Sequence, residues 1–343
     1  MQPGEMKSAD EVLYVGIDLG TSSSAIAASN GEKKWVESYV GWPKDFISAK
    51  VLGKSVLFGR EALKNRLSLD LYRPLEKGVL KEGTAKDAEA VKELIHYLIK
   101  LVNPSEGQKI NAVVGVPAES FKVNKLAIRS AVSGFTDSIM VVSEPFAVAY
   151  GLNMLNNAIV IDIGAGTVDF CIMHGTLPAD EDQKTIINAG DYIDQQLNNF
   201  LTEKYPGSTF NMNMVKGFKE SNGFVGNSSA PIKVEIPVAG KPTEHDITDE
   251  VKRACESILP AIIETVTEMI AKFDPEYQAK VRDNVILSGG GSQIRGIREY
   301  IEGRLKEYGS GKVTVATDPV FSGANGALAL AKDMPKGYWD QVQ

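Results

Sequence analysis

Two short segments carry the same kinds of residue in the same order: Asp18-Leu-Gly-Thr-Ser-Ser-Ser24 and Asp162-Ile-Gly-Ala-Gly-Thr-Val-Asp169. Each follows an apolar run that ends in Ile-Asp. A triphosphate needs backbone that can come close and donate many hydrogen bonds, together with carboxylates that hold a hydrated magnesium ion. In the first segment Gly20 removes a side-chain obstacle, and Thr21, Ser22 and Ser23 supply amide and hydroxyl donors. Asp18 enters from the end of its strand. In the second, Gly164, Ala165, Gly166 and Thr167 perform the same service, and Asp162 is expected to face Asp18 across a cleft. Two carboxylates brought together in this way make a cradle for magnesium-bound water. A single Asp-x-Gly-Thr is equally a tight hairpin in which glycine only satisfies a positive φ. Two copies in one chain argue against that reading.

A third glycine cluster, Ser288-Gly-Gly-Gly-Ser292, follows the strand Asn284 to Leu287 and is expected to open a helix through Arg295, Ile297 and Tyr300. Gly289, Gly290 and Gly291 would let backbone approach a flat base or ribose, with the helix N-terminus adding partial positive charge near phosphate. The plainer alternative is a flexible strand-to-helix loop. Glu144 stands in Ser-Glu-Pro-Phe-Ala-Val-Ala-Tyr-Gly at the start of a predicted helix, where Pro145 suits the first helical position. A carboxylate there could orient, or take a proton from, a water attacking a γ-phosphate. It could also be an ordinary acidic residue favoured by the helix dipole. His96, His174 and His245 lack metal-ligand spacing and read as surface or packing residues. No Walker-type Gly-x-x-x-x-Gly-Lys occurs, so a nucleotide would be held by the paired glycine turns without a P-loop lysine.

The elements that must position these residues alternate. Short β-branched runs recur at 12–17, 110–116, 139–142, 158–163, 285–287 and 313–315, several of them followed by glycine and then by polar or helical sequence. Val91, Leu94, Ile95, Leu98 and Val102 repeat at one-face helical spacing, as do Val251, Ala254, Ile258, Ile262 and Met269. Pro260 lies inside the second pattern and is expected to kink it. The alternation is an α/β signature, and the repeated strand–turn–strand unit implies two lobes of related design. We place lobe I at 10–149 plus 319–343 and lobe II at 150–318. The stretches 31–83 and 191–250, richer in Pro, Gly, Asn and charge, read as one inserted subdomain per lobe.

Composition narrows the function classes. At 343 residues and 43% apolar, the chain can bury a substantial core in two domains. A net charge of −7 with no long basic run disfavours a nucleic-acid or anionic-membrane surface. Two cysteines, Cys171 and Cys255, imply no disulfide framework and fit a reducing cytosol. Neither an N-terminal signal core nor an apolar stretch of the ~20 residues needed to span a bilayer is present, so a cytoplasmic protein is expected.

Taken as an ordered set, these segments resemble the superfamily of actin, the seventy-kilodalton heat-shock chaperones and the sugar kinases. YVGIDLGTSSS is similar to its first phosphate loop, VVGVPAES and SEPFAVAYG to its first connecting segment, and AIVIDIGAGTVDF to its second phosphate loop. VILSGGGSQIRG is similar to its adenosine loop and SGANGALALA to its second connecting segment. GREALKNR and LYRPLEKGVL resemble the bacterial actins of the MreB type, and the Asp-Ile-Gly-Ala-Gly-Thr loop, the segment Gly240 to Pro242 and the C-terminal Gly-Tyr-Trp-Asp-Gln resemble the magnetosome-associated branch. The resemblance implies a two-lobed fold of duplicated ribonuclease-H-like domains that clamps ATP and Mg2+. It also implies slow hydrolysis coupled to filament assembly, self-association as the main partnership and an adaptor to a magnetosome or similar cargo.

Carried over by position, Asp18 and Asp162 hold magnesium through water, and Glu144 with Asp162 forms the catalytic pair. Lys216, Lys219 and Gly289 to Ser292 contact adenosine, although Lys216 stands where a glutamate is usual. No amphipathic membrane-inserting helix and no chaperone substrate domain after the nucleotide domain is found. A small-molecule kinase and a non-hydrolysing ATP-bound scaffold are the competing functions. The kinase lacks a sugar-reading constellation, and the scaffold is opposed by the intact trio Asp18, Glu144 and Asp162.

Overall fold

The computed structural model describes residues 12–81, 84–118, 128–132, 134–227 and 230–339. They fall into two units: one within Met1–Val116, Ser120–Ser143 and Gly323–Gln343, the other within Pro117–Glu119 and Glu144–Ser322.

In the first unit β1 (Val12–Leu19) turns back antiparallel as β2 (Ser23–Ala28), which pairs antiparallel with β3 (Lys33–Glu37). A small sheet follows, in which β4 (Val40–Pro43) lies between β5 (Leu57–Phe58) and β6 (Leu69–Tyr72), with helices α1 (Phe46–Leu52) and α2 (Gly59–Lys64) in the connections. The hairpin β7 (Leu75–Glu76) and β8 (Val79–Leu80) leads to α3 (Ala85–Leu101), whose Val91, Leu94, Ile95 and Leu98 are buried at the predicted spacing. Thr84 starts that helix by accepting the Asp87 amide. Parallel strands β9 (Lys109–Val116) and β10 (Ser138–Ser143) complete the main sheet in the order β10-β9-β1-β2-β3.

The second unit begins with α4 (Glu144–Gly151), β11 (Asn156–Ile163), β12 (Val168–His174) and β13 (Gln183–Ile186). Helices α5 (Gly190–Lys204) and α6 (Met212–Asn222) and the hairpin β14 (Lys233–Glu235) and β15 (Glu244–Asp246) follow. The unit ends with α7 (Thr248–Glu256), α8 (Leu259–Ala271), α9 (Pro275–Arg282), β16 (Val285–Ser288), α10 (Ile297–Lys306) and β17 (Val313–Val315). Its sheet runs β13-β12-β11-β16-β17. From β3 to β10 and from β13 to β17 the neighbours are antiparallel, antiparallel, parallel and parallel in both sheets. The duplication inferred from two motifs is thus a duplication of whole sheets.

Four expectations change. Residues 31–83 are not wholly an insertion, because β3 is a strand of the main sheet; the separate small core of Leu57, Ala62 and Leu69 begins after it. Nor is 191–250 set apart: Ile193, Leu197, Leu201 and Val215 share one apolar core with Ile161 and Phe170. Helix α4, placed in lobe I from sequence, packs on β11 and β12 and belongs to the second unit. Pro260 does more than kink its helix. The pattern splits into α7 and α8, with Pro260 in the first turn of α8, where its missing N–H costs no hydrogen bond.

The last long helix, α11 (Ser322–Asp333), is rich in Gly and Ala because it lies almost on the backbone of β1. A Cβ at Gly16 would fall 2.2 Å from both Ala324 O and Leu328 N. Those are backbone atoms and cannot swing away. Gly16→Ala should therefore destabilise the protein by about 3 kcal/mol or more, read as a lowered urea midpoint. An unchanged midpoint would mean that α11 does not sit on β1 in this way.

Candidate functional site

Each unit presents one four-residue turn at the same place in its sheet. Gly20–Ser23 joins the paired residues Leu19 and Ser24, and Gly164–Thr167 joins the paired residues Ile163 and Val168. The first turn is braced through its carbonyls. Gly20 O accepts from Ser38 Oγ at 2.7 Å, Thr21 O from Arg73 Nε at 2.8 Å, and Ser22 O from the Ser38 amide at 2.9 Å. Fixing the carbonyls fixes the peptide planes, and with them the directions of the turn's amides. Thr21 is buried, and its hydroxyl also accepts from the Gly78 amide at 3.4 Å. Ser38 and Arg73 were not singled out from sequence. The only signal was that Arg73 lies in LYRPLEKGVL, a segment read as a family mark and not as a brace.

Asp18, at the end of β1, meets the start of α11. A Cβ at Gly323 would lie 2.5 Å from Asp18 Oδ2, so a side chain there would have to displace this carboxylate. The second turn closes on itself through the Gly164 amide and Thr167 O at 2.9 Å. It is also tied to α5: the Gly190 amide donates to Gly164 O at 3.1 Å and the Asp191 amide to Ala165 O at 2.7 Å.

Asp162 ends β11 and is buried; Ser288 Oγ donates to its Oδ2 at 2.6 Å. Burial pushes its pKa up to about 6; the Ser288 hydrogen bond pulls it down and the charge of Asp169 adds to the rise. Asp169, its partner across the β11–β12 pair, is buried too and accepts from the Ala118 amide at 2.8 Å and from Thr185 Oγ1. Sequence reasoning quoted Asp169 without giving it a task. The structure makes it the anchor that joins the Pro117–Ala118 segment to this sheet.

Two glycines of the third cluster are also demanded by packing, a constraint its sequence does not suggest. A Cβ at Gly289, whose φ is +74°, would fall 2.5 Å from Asp162 Oδ1, and one at Gly291 would fall 2.2 Å from Ile163 Cγ2. Both glycines are therefore required by packing against the end of β11. Gly290 alone has open space around it, while Ser292 is buried and donates to Gly289 O at 2.7 Å. The cluster forms a short 3-10 turn, Gly290–Gln293, and the next helix starts only at Ile297, after Gly296. The expected helix dipole at these glycines is displaced accordingly.

Glu144 is buried at the start of α4, where Pro145 occupies the first turn. The two lysines of α6 differ. Lys216 is paired with Glu220 at 3.7 Å, whereas Lys219 reaches Asp194 Oδ1 at 2.7 Å and Gly190 O at 2.8 Å. Each histidine lies against an aromatic ring: His96 stacks on Phe135, while His174 is tilted against Phe273 and His245 against Tyr205. Both thiols are buried and pushed upward by desolvation, Cys255 to about 11, which removes them as nucleophiles.

Among the described residues no group of three or more His, Cys, Asp or Glu side chains could hold a metal by itself. Magnesium that arrives on a nucleotide needs less: it keeps most of its waters and takes one or two carboxylates beside the phosphate oxygens. Asp18 and the buried Asp162 have that chemistry.

Paired sheets of identical strand order, each closing its first hairpin over a glycine turn beside an aspartate, define an actin-like nucleotide-binding protein. Residues 13–337 match the MreB/Mbl protein family, and the chain belongs to it. It is 42% identical over 342 residues to the actin-like protein MamK of Paramagnetospirillum magneticum (strain ATCC 700264 / AMB-1), a match that covers 100% of this chain and 98% of the relative. Among solved structures it is similar to the MamK double helical filament, with a TM-score of 0.92 at 42% identity over 94% of this chain and 100% of that one. It is also similar to a non-polymerising MamK mutant bound to AMPPNP, with a TM-score of 0.74 at 42% identity over 95% and 100% of the two chains. No helix among the described residues is long and apolar enough to cross a membrane.

Proposed function

We propose that this protein binds ATP, hydrolyses it slowly and assembles with copies of itself into dynamic filaments that organise magnetosomes in the cytoplasm. The observation that carries the reading is the pair of equivalent four-residue turns, one per sheet, each beside a strand-terminal aspartate. The relatives named above support it, since they are filaments or carry AMPPNP. Gly20 to Ser23 and Gly164 to Thr167 cradle the phosphates through backbone amides. The adenosine lies toward Gly290 and α6.

Glu144 orients the attacking water and takes its proton as the water oxygen bonds to the γ-phosphorus; the bond from that phosphorus to the β,γ-bridging oxygen breaks, and its electron pair departs on ADP. Magnesium, when bound, neutralises charge on the phosphate oxygens, and Asp18 and Asp162 would hold it through water. An adaptor protein links the filament to its cargo. The experiment is sedimentation with parallel phosphate release, with and without Mg–ATP. Pelleting on ATP addition, with release that speeds up as filaments form, is the expected result. Release that requires an added sugar would replace this reading with a kinase, and pelleting without any release would replace it with a scaffold.

A further inference from the structure

Lys219 is expected from family position to touch adenosine, yet two of the three donors of its ammonium are directed to protein groups. It is largely buried, paired with the buried Asp194 at 2.7 Å, and it donates to Gly190 O at 2.8 Å. Gly190 and Asp191 in turn donate their amides to Gly164 O and Ala165 O at 3.1 and 2.7 Å. The chain of contacts therefore runs from α6, through the start of α5, to the backbone of the second glycine turn. Its packing is close: a Cβ at Gly190 would meet Ala165 Cα at 3.1 Å, Gly164 O at 3.2 Å and Lys219 Nζ at 3.5 Å.

A charge-assisted bond to a carbonyl polarises the same peptide group whose N–H holds the turn, so the contacts reinforce one another. Asp194 supplies what a buried ammonium needs to remain there. A lysine without it would lose its charge or swing to solvent. Asp194 is itself held up in pKa chiefly by desolvation, with Lys219 pulling it back down.

We infer that Lys219 and Asp194 are a positioning pair for the second phosphate turn, acting through Gly190. The inference rests on the reading of Gly164 to Thr167 as a phosphate turn. It is nevertheless testable without any nucleotide, because the Gly190 and Asp191 amides report the linkage themselves.

The experiment is hydrogen exchange on the nucleotide-free full chain, followed by titration with AMPPNP. Lys219→Gln should speed exchange at Gly190 and Asp191 by about ten-fold or more, with the amides of β1 and β9 unchanged. It should weaken AMPPNP by a similar factor, while Lys219→Arg keeps both near wild type. If the lone substitution prevents folding by stranding the Asp194 charge, Lys219→Met combined with Asp194→Asn removes that charge and should give the same local loss of protection. Weaker AMPPNP binding with unchanged exchange would make Lys219 a direct ligand contact and overturn the inference. Exchange that rises uniformly over the whole chain, or not at all, would overturn it as well. A wild type that fails to bind AMPPNP would instead remove the nucleotide reading and leave the exchange result standing.

Discussion

Glu144→Gln protein should bind AMPPNP as wild type does and release phosphate about 10²-fold more slowly. The separation follows from where a general base acts. Glu144 is proposed to touch the water, not the phosphates, so its loss is felt in the transition state and not in ground-state binding. Its burial at the head of α4 makes glutamine the right replacement, because the amide fills the same space and leaves no unpaired charge. Glu144→Ala should give the same kinetic loss with some added loss of stability from the cavity. The checks are nucleotide titration and single-turnover phosphate release. Equal release by the variant and wild type would take Glu144 out of the mechanism. A parallel fall in AMPPNP affinity would make it a binding residue.

Asp162→Asn should leave filaments that form with ATP but outlast it. Asp162 ends the strand that leads into the second turn and contacts Ser288; on the function proposed above it meets the nucleotide's magnesium there and responds when the γ-phosphate departs. Without its charge, hydrolysis should fall by about 10²-fold or more, and the ATP-bound, self-associating state should persist. The measurement is sedimentation followed past the time at which wild type exhausts its ATP. Filaments of the variant that fall apart on the wild-type schedule would show that hydrolysis at this site does not time disassembly.

The same substitution has a second, opposite consequence for nucleotide-free protein. Folding raises the Asp162 pKa from 3.8 to about 6, so the folded state binds the proton more tightly than the unfolded chain. Wild-type stability contributed by this group is then present below about pH 4 and is lost as pH rises toward 6. Asparagine does not titrate. Asp162→Asn should consequently gain thermal stability relative to wild type across that interval and hold the gain above it, measured in magnesium-free buffer. A difference that is flat from pH 4 to 7 would mean that the carboxyl is well solvated.

The sequence determined the elements and their duplication. Val12 to Leu19 and Asn156 to Ile163 are strands because β-branched runs bounded by glycine turns have few other stable outcomes, and α3 is a helix because its apolar residues share one face. The glycine turns were legible because their chemistry is local: a few consecutive residues supply the amides. What only the tertiary structure decided are the pairings between residues remote in sequence. Nothing near Gly289 and Gly291 tells that Asp162 and Ile163 press against them, so the packing demand on these two glycines was not legible. Nothing near Lys219 tells that Asp194 and Gly190 claim its ammonium. Helix α4 follows the last strand of the first sheet in sequence, yet it packs on β11 and β12 of the second. Local propensity sets which element forms. Its address, and the task of each polar side chain, depend on which buried surface and which unpaired donor or acceptor the rest of the chain brings to it.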